Sequence, residues 1–227
     1  MAEFIETLNA ADIRNILKER LRRGQYVIDK TGVKMIEIIG ASFIADEEAI
    51  FGEVNWDYVR REIAWYESES LNVNDIPGQT PAIWTQVADE TGMINSNYGW
   101  CIYSEDNWHQ YDHVLAELAD KPNSRRAIMI YTRPTMWDDY DMNGRSDFMC
   151  TNAVQYLVRD GALHCVVQMR SNDVVFGYKN DRAWQDHVLR QLAADLDLPV
   201  GNIYWQVGSL HVYSRHFNLI DPSYSDK

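Results

Sequence analysis

Basic charge is scarce in this 227-residue chain: 21 Lys and Arg stand against 34 Asp and Glu, a formal net charge of −13. Duplex nucleic acid is held by neutralising phosphates over a broad basic surface, so this balance weighs against a direct nucleic-acid binder. It leaves room for a mononucleotide, whose one phosphate needs only a few convergent donors such as Arg125, Arg126 and Arg170. Long apolar runs are missing as well. No stretch reaches the roughly 18 apolar residues of a membrane-spanning helix. The opening MAEFIETLNAADIRNILKER carries acids early and no apolar core, unlike a secretory leader. Cysteine is rare: Cys101, Cys150 and Cys165 are odd in number and lack metal-ligand spacing, which excludes a disulfide framework and a cysteine metal site. The expectation is a reduced, cytoplasmic protein with no metal and no membrane partner.

What is present suffices for a folded core, with 46% hydrophobic residues and neither repeats nor low-complexity linkers. Hydrophobic spacing predicts helices over 11–23, 55–68, 106–119 and 182–197. β-rich runs predict strands over 34–44, 127–132, 153–158, 163–169 and 203–213. Their irregular alternation points to an α/β (α+β) fold, one domain over residues 1–227 with a mixed sheet flanked by helices.

The stretch CTNAVQYLVRDGALHCVVQMRSNDVVFGYKND, residues 150–181, carries the chemistry. Cys150 stands at the start of a predicted strand, where a thiol can project into a cleft. A thiolate adds to conjugated rings and leaves again, which suits attack at C6 of a pyrimidine. The plainer reading is a small core residue, which fits Cys165 in LHCVVQM better. Arg170-Ser171 offers a guanidinium fork and a hydroxyl, good for a phosphate monoester or for a strand-end ion pair. Arg125-Arg126 is either an anion clamp or an exposed pair. Strand alternation puts His211 and Tyr213 on one face, suited to a sugar hydroxyl or to a hydrogen-bonded core pair.

Several blocks, SDFMCTN, MRSNDVVFG, NYGW and SLHVYSRHF, resemble the thymidylate synthase superfamily. VIDKTGVK, EIIGASF, IYTRP and NDVVFG narrow the resemblance to its deoxycytidylate hydroxymethylase branch known from T-even bacteriophages, over about residues 26–217. The resemblance implies that Cys150 is the nucleophile and that Glu62, in REIAWY, organises water and proton transfers. Arg170 and Ser171 become phosphate ligands, with Arg125 and Arg126 reaching in from the partner of a homodimer. Lys30 stands where the family carries a phosphate-binding arginine. His211 and Tyr213 match sugar contacts, and Tyr98 lies near the nucleophile. Trp84, Asp173, Phe176 and Gly177 match the place of the folate, here 5,10-methylenetetrahydrofolate as cosubstrate.

Asp181 replaces the asparagine that reads uracil in thymidylate synthases. Cytosine presents an amino donor and an N3 acceptor, which a protonated carboxyl group can match, with Asn172 helping to hold that edge. The alternative is that Asp181 only caps a helix beginning at Arg182. The implied reaction takes dCMP, methylenetetrahydrofolate and water to 5-hydroxymethyl-dCMP and tetrahydrofolate through a Cys150–C6 adduct, in the host cytoplasm if a phage encodes the chain. A dCMP methyltransferase that uses the folate as reductant, and a non-catalytic nucleotide-binding protein, remain as alternatives. Met169 and Thr151 depart from the glutamine and histidine common in thymidylate synthases, and both fit the deoxycytidylate branch.

Overall fold

The computed structural model describes residues 7–224, so the first six residues of the opening stretch and the last three of the IDPSYSDK tail lie outside the described residues. Helix α1 (Ala10–Arg22) starts on a reciprocal cap between Asn9 and Asp12 and buries Ile13, Leu17 and Leu21. It packs against a six-stranded sheet made of β1 (Val27–Ile28), β2 (Lys34–Ile44), β3 (Ile128–Ile130), β4 (Thr151–Arg159), β5 (Ala162–Asp173) and β6 (Val200–Tyr213). The order across the sheet is β1-β2-β6-β5-β4-β3. Only β5 and β6 run parallel, and a parallel pair needs a long crossover. Helix α7 (Gly177–Asp195) supplies it, burying Tyr178, Trp184, Val188, Leu189 and Leu192.

The remaining helices are α2 (Trp56–Glu67), α3 (Ala82–Val87), α4 (Tyr98–Tyr103), α5 (Gln110–Asp120), α6 (Met136–Asp139) and α8 (Phe217–Ile220). Helices α2 and α4 touch closely. A Cβ on Gly99 would fall 1.8 Å from the Tyr66 carbonyl oxygen, so only glycine permits this approach beside Tyr98. Trp65, Trp184, Trp205, Tyr156 and Phe43 are fully buried between sheet and helices. The other sheet face is more open: Ile39 is 80% exposed, Ile130 54% and Ile128 38%.

Strand direction decides what meets at one end of the sheet. Antiparallel β4 brings its first residues to the last of β5, where the Arg170 N–H donates to the Cys150 carbonyl at 2.9 Å. Asp173 on β5 lies opposite His211 on β6, and Met35 on β2 lies opposite Tyr213. These are the carboxyl ends of the parallel pair, where α/β sheets open their clefts.

Three expectations need correction. The longest helix begins at Gly177, not Arg182, so Asp181 lies within α7 and caps nothing. Its first turn is anchored from outside: the Tyr178 hydroxyl donates to the Glu47 carbonyl at 2.8 Å and Lys179 Nζ to the Glu53 carbonyl at 2.7 Å. Helix α5 begins at Gln110 rather than 106, because Trp108 and His109 both adopt positive φ and end a short 3-10 turn. The strand expected over 127–132 pairs only at Ile128–Ile130.

Candidate active site

The nucleophile candidate is held by its neighbours on both sides. Before it, the buried Asp147 carboxylate accepts from the backbone N–H of Asn95 (2.6 Å) and Ser96 (2.9 Å) and from the Ser96 hydroxyl (2.6 Å). This ties the strand entry to the loop that starts α4. After it, the Arg170 guanidinium donates to the carbonyls of Phe148 (2.7 Å) and Met149 (2.8 Å) and comes within 3.5 Å of Cys150 Sγ. Burial pushes the Cys150 thiol up to about 11, and Arg170 works against that rise. Arg170 is therefore the cation that favours the thiolate, and its exposed side keeps donors for an anion.

Two carboxyl groups face this region, and neither is ordinary. Glu62 on α2 is buried, and its Oε1 accepts from the Tyr58 hydroxyl and from Trp84 Nε1 at 3.2 Å. Trp84 Nε1 also reaches the Tyr58 hydroxyl at 2.8 Å. Burial raises the Glu62 carboxyl to about 7, with the Tyr58 and Trp84 bonds opposing. Asp181 keeps an accessible edge while its carboxyl group is enclosed by protein. Burial first, then the nearby Glu62 charge, push it up to about 8, against hydrogen bonds from Asn172 and Tyr98. Asn172 Nδ2 donates to Asp181 Oδ2 at 2.7 Å. A shift in this direction favours the neutral carboxylic acid, which can donate as well as accept.

These shifts carry a consequence for stability. A carboxyl group whose pKa rises on folding stabilises the fold below its unfolded value, and loses that contribution as pH climbs through its folded value. For Asp181 the window runs from its ordinary 3.8 up to about 8. Asp181→Asn is therefore expected to gain melting temperature over wild type at about pH 8 and little at about pH 4. Thermal melts of both proteins across that range check it, and an equal difference at both ends contradicts the enclosed, neutral carboxyl.

The rest of the expected set divides clearly. Tyr98 is buried, with Asp181 and Cys150 adding to the burial that raises its hydroxyl pKa. His211 and Tyr213 stand edge to face with ring centroids 5.0 Å apart. Lys30 is exposed in a turn shaped by Asp29, whose Oδ1 accepts from Thr31 N, Thr31 Oγ1 and Val33 N at 2.8, 2.7 and 2.9 Å. His211 is among the groups that lower the Asp29 carboxyl, after its bonds from Thr31 and Val33, so this turn lies near the end of β6. Asp173 Oδ1 accepts from Val175 N (2.7 Å) and Phe176 N (2.9 Å), and Arg215 approaches its Oδ2 at 3.9 Å. Phe176 beside it is 55% exposed, with Lys179 Nζ over its ring at 5.4 Å from the centroid and His216 packed edge to face against it. Ser171 lies opposite Ser209 in the β5–β6 register.

Arg125 and Arg126 are not brought to Cys150 within this chain. Ala127 is held at Tyr156 and Arg125 at Gln155, far along β4 from Cys150, on the order of 20 Å at strand spacing. They line a separate surface hollow with Lys121, Asn123 and Ser124. Four residues that shape the site were not foreseen: Tyr58, Asp147, Trp205 and Arg215. Tyr58 had a legible signal, standing four residues before Glu62 on a predicted helix face. The others act across long sequence separations.

The fold defines the class: a mixed six-stranded sheet with α7 as its crossover and Cys150, Arg170, Asp173 and His211 gathered at the parallel strands' carboxyl ends. The structure of thermostable thymidylate synthase A from Bacillus subtilis matches it with a TM-score of 0.71, over 92% of this chain and 81% of that one, at 23% identity. A family model described as thymidylate synthase matches residues 12–225, and the chain belongs to the thymidylate synthase family. The deoxycytidylate 5-hydroxymethyltransferase of Enterobacteria phage T4 is 59% identical over 223 residues, 95% of this chain and 91% of the phage protein. The protein of the same description from phage T2 gives the same figures. Among the described residues, no helix is long and apolar enough to cross a membrane.

Proposed function

We propose that this chain acts as a deoxycytidylate 5-hydroxymethyltransferase, converting dCMP, methylenetetrahydrofolate and water to 5-hydroxymethyl-dCMP and tetrahydrofolate. The observation that carries the reading is Asp181, a carboxyl group raised to about 8 and bonded to Asn172 beside Cys150. A neutral acid offers one acceptor and one donor, the complement of the cytosine N4 amino group and N3. The 59% identity to the phage T4 enzyme supports the same substrate.

Cys150 Sγ forms a bond to C6, and the Asp181 proton stabilises the charge that builds at N3. C5 then takes up the one-carbon unit that the folate supplies at the oxidation level of formaldehyde. Departure of tetrahydrofolate, which also receives the hydrogen lost from C5, leaves an exocyclic methylene group on the nucleotide. Water adds its oxygen there, and the Cys150–C6 bond breaks. Glu62 has both described bonds on Oε1, so Oε2 is the oxygen left to orient that water and accept its proton. Asp173 and the exposed part of the Phe176 ring fit a pterin: a carboxylate oxygen for its N–H edge and an aromatic surface for its ring. Arg170, Ser171 and Lys30 hold the phosphate, and His211 and Tyr213 hold the sugar.

Arg125 and Arg126 complete the phosphate site of a second copy, in a homodimer formed through the open sheet face. Their distance from Cys150 within one chain and the exposure of Ile39 and Ile130 support this arrangement. A chain encoded by a phage would do this work in a host cytoplasm, and the phage T4 relative supports that reading. As dCMP is consumed, tetrahydrofolate and not dihydrofolate should accumulate, read by liquid chromatography of the folates. Dihydrofolate in step with dCMP loss would make the chain a methyltransferase and overturn the reading.

A further inference from the structure

Asp181 selects a base only if its hydrogen-bond polarity is fixed, because a carboxyl group can place its proton on either oxygen. Tyr98 and Asn172 both bond it; the Tyr98 hydroxyl can turn to suit either oxygen, so the polarity has to be set by Asn172, and an amide is itself ambiguous: one end donates and the other accepts. A carboxamide rotated by half a turn would present oxygen to Asp181 instead of N–H. Something must decide which end faces the acid.

Trp205 decides. It lies on β6, is fully buried, and its Nε1 donates to Asn172 Oδ1 at 3.2 Å. An indole N–H can only donate, so the amide oxygen must face Trp205 and the amide N–H must face Asp181. That N–H meets Asp181 Oδ2 at 2.7 Å. An oxygen that accepts such a bond is disfavoured as the protonated one, since a hydroxyl oxygen is the poorer acceptor. Gly177 closes the arrangement from the helix side. A Cβ there would lie 3.0 Å from Asn172 Nδ2 and 3.5 Å from Asp181 Oδ2, so the α7 start is shaped around this bond.

We propose that Trp205 is a positioning residue for base selection, orienting Asn172 so that Asp181 keeps Oδ2 as acceptor and carries its proton on Oδ1. This rests on the reading of Asp181 as the base-recognising group. With the donor lost, Asn172 can turn its oxygen to Asp181 and draw the proton to itself. Asp181 then offers the base only acceptors, which tolerate the N3–H of uracil and fail the N3 of cytosine.

The test is the ratio of dCMP to dUMP affinity, measured by equilibrium dialysis in wild type, Trp205→Phe and Trp205→His. Phenylalanine keeps a ring and removes the N–H, so the ratio should fall roughly five- to tenfold, the worth of one buried hydrogen bond. Histidine restores a ring N–H and should recover part of the loss. Asn172→Asp turns an acceptor toward Asp181 with Trp205 intact and should reproduce the fall, which decides the matter if Trp205→Phe does not fold. Equal weakening of both nucleotides in Trp205→Phe, or an unchanged ratio in Asn172→Asp, overturns the proposal. Binding is read without turnover, so a wild type that prefers dCMP yet forms no product would refute hydroxymethylation alone. A wild type without preference would refute the assignment of Asp181, and this proposal with it.

Discussion

Replacing Cys150 by alanine is expected to abolish turnover, by on the order of 10⁴-fold or more, while dCMP affinity changes little. The asymmetry follows from the geometry. The thiol supplies the covalent bond that makes C5 nucleophilic, and no neighbour can replace it: Cys101 and Cys165 are both buried in the core. Binding is carried by other groups. Arg170 holds the strand entry through the carbonyls of Phe148 and Met149, contacts that do not involve the side chain of residue 150. The alanine variant should therefore retain its fold and phosphate site. Dialysis against dCMP together with a turnover assay checks both halves. Residual activity within about tenfold of wild type would defeat covalent catalysis.

Asp181→Asn is expected to invert base preference, lowering the dCMP to dUMP ratio of kcat/KM by roughly 10²- to 10⁴-fold, the range for a site whose buried polar partners are mismatched. The asparagine carboxamide can accept from N3–H and donate to O4 of uracil, whereas against cytosine it has no acid proton to pass to N3 as charge builds there. A pH signature accompanies the change. Wild-type dCMP turnover needs the neutral acid, so it should decline as pH rises past about 8, where Asp181 ionises. The asparagine variant has no such group, and its dUMP turnover should lack that limb. Unchanged preference would remove Asp181 from base recognition.

The sheet was largely legible because its signal is local. The strand predicted over 34–44 is observed as Lys34–Ile44, where alternating apolar residues face the helices. Helices α1 and α2 fall within a residue of their predicted limits, set by Asn9 and Asn55 as caps. Short α3 and α4 escaped, since six-residue helices carry little periodicity and α4 depends on Gly99 meeting Tyr66. The start of α7 escaped for a related reason. Glycine and asparagine early in GYKND speak for a loop, and distant carbonyls of Glu47 and Glu53 override them.

In the site, motif blocks identified most of the residues now found at one end of the sheet. What they left out was the wiring. Capping a helix from Arg182 is the alternative that position alone leaves open for Asp181, and it falls away because the helix starts at Gly177. Trp205 looked like one more core residue on an alternating strand. Its use of the indole N–H joins residues 33 positions apart and leaves no local pattern.

The most direct test of the central claim is to run dCMP, methylenetetrahydrofolate and the purified protein in ¹⁸O-enriched water, and to weigh the nucleotide product. A gain of CH₂O carrying the heavy isotope is the predicted result, since the last oxygen comes from water positioned at Glu62. A gain of CH₂ without oxygen, or modification of dUMP alone in a parallel reaction, would contradict it.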